Sequence, residues 1–106
     1  MKPPFDRAHL STFTGGDAEL ERELLLSFQE NAGTHLENLR QGLESGTWPE
    51  LAHRFKGAAS GIGMQVLAGL CAEAEALGAT IDQDSAEKLI ARMQVELTAL
   101  DQYLEK

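Results

Sequence analysis

The sequence predicts an all-α domain, an antiparallel up-down four-helix bundle with a short additional N-terminal helix. Three observations carry that expectation. Ala and Leu are abundant, β-branched residues are sparse, and only three prolines occur in 106 residues, a composition that suits helices and disfavours sheets. Apolar residues recur at steps of three and four through long segments, the period of a helix that buries one face. Glycines and aspartates separate those segments, and short connections between long helices make neighbours antiparallel. A chain of this length supports one modest core, so residues 1–106 read as a single domain without internal repeats or low-complexity segments.

In chain order, residues 1–4 are expected to be loose, and Pro3 and Pro4 stand where a helix can begin. Residues 5–12 read as a short helix, a lid on the bundle, with Phe5, Ala8, His9 and Leu10 turned inward. Gly15 and Gly16 end it. Asp17 caps a second helix, whose positive end suits Glu19 and Glu21. From Leu20, the residues Leu24, Phe28, Ala32, Leu36, Leu39 and Leu43 mark its buried face. It should be about 26 residues long, bent at Gly33 and flanked at its end by Gly42 and Gly46. Thr47 with Glu50 three residues later has the spacing of a capping box, and Pro49 is tolerated in a first turn, so a third helix begins there and stops near residues 60–63. Residues 64–77 form the fourth, through Val66, Leu67, Leu70, Cys71, Ala74 and Leu77, with Gly78 as its C-cap. Asp82 or Asp84 caps the last helix, where Ala86, Leu89, Met93, Leu97, Leu100 and Leu104 make a bundle seam.

Charge and composition narrow the function. There are 17 acidic residues against nine Lys plus Arg, a formal charge of −8. Such a surface repels nucleic acid and anionic membranes. The single cysteine, Cys71, permits no internal disulfide and fits a reducing cytoplasm. No signal peptide is apparent at the N-terminus, and no apolar run approaches the ~20 residues of a membrane span. A soluble, cytoplasmic domain is expected.

The functional signal lies in the third helix. With residues 51–62 placed at about 100° per residue, Leu51, Ala52, Phe55, Ala58, Ala59 and Ile62 gather on one side. His53 falls opposite, with Gly57 one turn on and Lys56 and Ser60 beside it. A glycine inside a helix costs about 1 kcal/mol relative to alanine. Helical side chains lean toward the N-terminus, so a side chain at position 57 would lean over His53. Its omission leaves the imidazole open to a large partner. Imidazole titrates near pH ~6.5, so a neutral nucleophilic nitrogen is available at neutral pH. Lys56 adds a cation suited to phosphoryl oxygens. An open histidine beside a cation is a station for a phosphoryl group. Read blandly, Lys56 is a solvated lysine and Gly57 a local irregularity.

The run Ala52, His53, Arg54, Phe55, Lys56, Gly57, Ala58, followed by Ile62 and Gly63 and then Leu67, Cys71 and Glu75, resembles the histidine-containing phosphotransfer (HPt) domain of two-component phosphorelays. Phe55 stands where Leu is commoner in that family, and Ala74 precedes Glu75 where Leu is commoner. The resemblance implies that His53 reversibly accepts a phosphoryl group from a receiver-domain aspartate and passes it to another. It implies as partners response-regulator receiver domains or a hybrid sensor histidine kinase, with Mg²⁺ carried by the receiver and no cofactor bound by this chain. Several members of the family have a glutamine at the position of Glu75 that accepts a hydrogen bond from the histidine's Nδ1–H. Glu75 either does the same or is a solvated glutamate.

No GxxxxGK[ST] phosphate loop and no GxGxxG turn occurs, and no carboxylate cluster suited to Mg²⁺ flanks His53. A phosphocarrier without its own ATP-binding or kinase activity is therefore expected, acting as a monomer. Ser60 on the histidine's face and the cations Arg54 and Arg40 are further candidates for phosphoryl or partner contact, while Cys71 reads as packed and His9 and His35 as structural. Two rivals remain. Glu50 and His53 form Glu-x-x-His, as in metal-binding bundles, but such a site needs two such pairs and two further glutamates facing the core. A non-catalytic helical interaction module would share the fold without the chemistry. The initial Met and clean helical ends lean toward a free-standing protein.

Overall fold

Five helices account for most of the chain in the computed structural model, which describes residues 3–105. They are α1 (Arg7–Thr14), α2 (Ala18–Ser45), α3 (Trp48–Gly61), α4 (Gln65–Leu77) and α5 (Gln83–Leu104). Among the described residues there is no strand, and no helix is long and apolar enough to cross a membrane. Met1 and Lys2, expected to be loose, lie outside the described residues. Pro3 and Pro4 precede the first helix.

The four long helices run up and down. Arg22 near the start of α2 donates to the carbonyl of Leu104 at the end of α5 (2.8 Å), and Gln29 donates to Asp101 (2.6 Å). The turn at Gly46 returns the chain, so that α3 packs back on α2 with Phe55 stacked between Phe28 and His35. The next turn lays α4 against α3, and Trp48 in the first turn of α3 meets Ala74 near the end of α4. One continuous core runs from Phe5 to Leu104.

The helix ends follow from the residues that punctuate them. Asp17 accepts from the backbone N–H groups of Glu19 and Leu20, and Asp82 accepts from that of Ser85, so two aspartates cap α2 and α5 as expected. Gly63 has φ +83 and lies close to Asp6, where a Cβ would approach the Asp6 carbonyl oxygen to 2.9 Å. The Gly63 carbonyl accepts from Asp6 N–H (2.7 Å), and this bond ties the N-terminal segment to the α3–α4 turn. Gly42 serves close packing. A Cβ there would meet Leu51 Cδ1 at 2.7 Å and the Trp48 nitrogen at 3.3 Å, so its absence lets the end of α2 approach the start of α3.

Several expectations need correction. The short helix begins at Arg7 because the Asp6 side chain accepts from the N–H groups of Ala8 and His9, a better cap than the prolines provide. Phe5 is buried outside that helix against the ring of Tyr103, Leu10 is buried within it, and Ala8 is exposed. α2 runs 28 residues without interruption at Gly33. Its buried stripe includes Leu25, while Leu20 is exposed and Leu24 and Leu43 are half-buried. Thr47 does flank α3, but its backbone (φ −93, ψ 7) is not the extended conformation of a capping residue; its side chain makes no capping hydrogen bond, and its hydroxyl pairs with that of Ser45 (2.8 Å). In α4, Val66 and Leu77 are 62% and 50% exposed. The helix has more apolar residues than its partners can cover, and Leu67, Ala68, Leu70, Cys71 and Ala74 take the buried positions.

The largest fully buried side chain, Trp48, was not among the expected core residues. Its indole Nε1–H donates to the Ala74 carbonyl oxygen (2.7 Å). Buried tryptophan needs such a partner for its one polar atom. Trp48→Phe removes both that bond and packed volume, and should lower stability by about 2–3 kcal/mol. In urea unfolding this appears as a lower midpoint at unchanged slope.

Candidate functional site

His53 stands in the second turn of α3, its side chain 66% exposed, in an open groove lined by Pro49, Glu50, Arg54 and Glu75. Its orientation follows from the helix pattern. Ala52 and Phe55 on either side are fully buried and hold α3 against its neighbours, so position 53 is turned to solvent.

Glu75 reaches this face from α4. The α3–α4 hairpin brings the last turns of α4 beside the first turns of α3, and the Trp48–Ala74 hydrogen bond fixes the alignment one residue before Glu75. The Glu75 carboxylate bridges two groups. Oε2 lies 2.9 Å from His53 Nδ1, and Oε1 lies 2.7 Å from Lys56 Nζ. A hydrogen bond from Lys56 holds the Glu75 carboxyl below the usual carboxylate range; burial opposes this, and the charge of Lys56 and the contact with His53 add to it. An ionised carboxylate can only accept hydrogen bonds. The ring nitrogen facing it therefore carries a proton, and in the neutral ring Nε2 keeps its lone pair toward the open side.

Lys56 lies three residues after His53 on the same helix and is half-buried. Its ammonium is engaged by Glu75, a pairing that sequence reasoning did not anticipate. Histidine and lysine both appear on the outer face of one helix, but only the packing of α3 on α4 shows that a single carboxylate serves them both. At Gly57, one turn beyond His53, a Cβ would meet nothing within 4 Å. The space beside the imidazole is open, and the protein's own packing does not require the glycine.

Other candidates lie elsewhere. Ser60 is exposed but two helical turns from His53, about 10 Å along the axis, out of reach of a group on the imidazole. Arg54 lines the histidine's groove. Arg40 pairs with Glu37 (3.7 Å) and lines a different groove, between α2 and α5. Cys71 is buried, and burial pushes its thiol up to about 12, which keeps it protonated and unreactive. His9 has its Nε2 3.3 Å from the Gly61 carbonyl. His35 stacks on Phe55 with ring centroids 4.8 Å apart, and burial lowers its pKa. Glu50 and His53 both face outward, and among the described residues no group of three or more His, Cys, Asp and Glu side chains is placed to hold a metal ion. Pro49, which the sequence reading treated only as a helix-start residue, forms part of the groove wall.

The chemical capacity of this arrangement is specific. It presents one solvent-facing imidazole nitrogen, held in a defined tautomer, with a cation close by and no bulk over the approach. Comparison with known proteins agrees with that chemistry. A search of curated proteins finds no match. The crystal structure of histidine-containing phosphotransfer protein B (HptB) from Pseudomonas aeruginosa PAO1 superimposes with a TM-score of 0.82 at 26% sequence identity, over 99% of this chain and 94% of that one. The family model of the Hpt domain matches residues 23–103, most of the chain, and the chain belongs to the Hpt domain family.

Proposed function

We propose that His53 is the phosphoryl acceptor of a phosphorelay intermediate, taking the group on Nε2 from the aspartyl phosphate of one receiver domain and yielding it to the aspartate of another. As an Hpt domain the chain has a histidine phosphotransfer role in a two-component phosphorelay. One observation carries the residue assignment: the 2.9 Å contact between Nδ1 and Glu75, which directs the lone pair of Nε2 outward.

In the forward step the Nε2 lone pair attacks phosphorus, the O–P bond to the donor aspartate breaks, and its electron pair stays on the aspartate. Nδ1 keeps its proton against Glu75 throughout. Lys56 offers its ammonium to phosphoryl oxygens as charge develops there, and Gly57 leaves room for the receiver to approach. The receiver supplies Mg²⁺, which neutralises phosphoryl oxygens during transfer. This chain binds no nucleotide and acts as a monomeric carrier in the cytoplasm, served by response regulators or a hybrid kinase.

With phosphorylated, Mg²⁺-loaded receivers as donors, the wild-type chain should acquire an acid-labile, alkali-stable label that His53→Gln does not. Label persisting on the variant would move the site to another residue; no label from any receiver, with the protein folded, would favour a pure interaction module.

Substitutions at Gly57 separate access from folding. Gly57→Ala should raise stability by about 0.5–1 kcal/mol in thermal unfolding, since the helix gains a better former in open space. Gly57→Leu should remain folded yet slow transfer from the receiver at least about tenfold, equivalent to about 1.4 kcal/mol of barrier. Equal transfer rates for Leu and Gly at this position would exclude the access role.

A further inference from the structure

The carboxylate of Glu75 touches Nδ1 of His53, the ring nitrogen that does not react. We propose that the charge of Glu75, beyond its hydrogen bond, sets how readily phosphorylated His53 releases its phosphoryl group, by keeping the Nδ1 proton on the phosphorylated ring. This rests on the reading of His53 as acceptor and concerns the state that follows acceptance.

Once Nε2 bears the phosphoryl group, the ring exists in two forms. With Nδ1 protonated, cleavage of the Nε2–P bond leaves its electron pair on Nε2 and releases a neutral imidazole, a good leaving group. With Nδ1 bare, the same cleavage must expel an imidazolate, a far poorer one. The new O–P bond forms on the accepting aspartate, or on water in hydrolysis, and the Nδ1 proton stays where it is. Release therefore depends on how much of the phosphorylated ring is protonated at a given pH.

The geometry favours the protonated form. Glu75 Oε2 lies 2.9 Å from Nδ1, and an opposite charge at that range stabilises a cation. A carboxamide in the same place would accept the same hydrogen bond without the charge. The depressed pKa of Glu75 keeps it ionised across the neutral range. Lys56, 2.7 Å from the other oxygen, tempers this in the resting protein. Phosphoryl oxygens on Nε2 compete for that ammonium, and as Lys56 turns to them more of the Glu75 charge is left to the ring. Loading the histidine thereby primes its discharge.

The remaining charged groups around His53 are few. Glu50 and Arg54 of α3 line its groove with opposite signs, Glu75 is the charged contributor from α4, and α2 places no residue there. His35, a titratable side chain of α2 that touches α3, stacks on the buried Phe55.

The test needs no receiver. The folded wild type, Glu75→Gln, Glu75→Ala and His53→Gln are treated with phosphoramidate, and loss of the phosphohistidine is followed by phosphorus NMR from about pH 5 to about pH 9, across the range in which imidazoles titrate. The wild type should keep its fast, protonated-ring decay to a pH about one unit higher than Glu75→Gln. Glu75→Ala should share the lowered midpoint. A purely structural role for Glu75 would change rates alike at every pH and leave the midpoint in place, so coincident midpoints for wild type and Glu75→Gln would overturn the proposal. If His53→Gln takes up label as wild type does, or wild type takes up none, the reading of His53 itself fails. That outcome is seen at the labelling step, before any pH series.

Discussion

The seam between α3 and α4 is the contact on which the site depends. Small side chains line it. Ala52 and Ala59 of α3 and Ala68, Cys71 and Ala74 of α4 are all buried, and their lack of bulk lets the two helices pack closely along their length. Trp48 closes one end of the seam with its hydrogen bond to Ala74, and the Gly63 turn closes the other. Helices held at both ends cannot slide by a turn. Glu75 can therefore meet His53 and Lys56 together, although the glutamate and the histidine are 22 residues apart in the chain.

The same seam divides chemical labour between two faces of one helix. Inward, α3 offers Phe55 to Phe28 and His35 in an aromatic stack. Outward, it offers an exposed imidazole, a cation and a gap. The chain as a whole is strongly acidic, but around His53 two acidic and two basic side chains come together: Glu50, Arg54, Lys56 and Glu75. Charges of both signs so near one imidazole can respond to a doubly negative group without a large conformational change.

Much of this was legible in the chain. Periodicity in α2 and α5 located the core residues Phe28, Ala32, Leu36, Leu39, Leu89, Met93, Leu97 and Leu100, because a long amphipathic helix samples its period many times. The short and strongly apolar α4 was harder. When most positions are apolar the pattern no longer tells which ones are covered, and Val66 and Leu77 were misplaced for that reason. Trp48 escaped notice because it opens its helix, where a reader looks for caps and not for core. At the site, helical geometry alone put His53, Lys56 and Gly57 on one exposed face, and the family pattern pointed to Glu75. The link between Lys56 and Glu75 depends on the relative placement of two helices, and a linear pattern carries no information about that.

Trp48 is also the only tryptophan in the chain. It is sealed from water at the start of α3, bonded to the helix that supplies Glu75, and lies little more than one turn before the histidine. The protein thus carries its own optical reporter on the helix pair that matters. Indole emission depends on the polarity around the ring, so light absorbed by this residue reports the integrity of one seam and not an average over the molecule. The chain's one tyrosine, Tyr103, packs on Phe5 at the opposite end and accepts a hydrogen bond from Arg7. Two chromophores at two ends allow loosening at the histidine's end to be distinguished from fraying of the N-terminal segment.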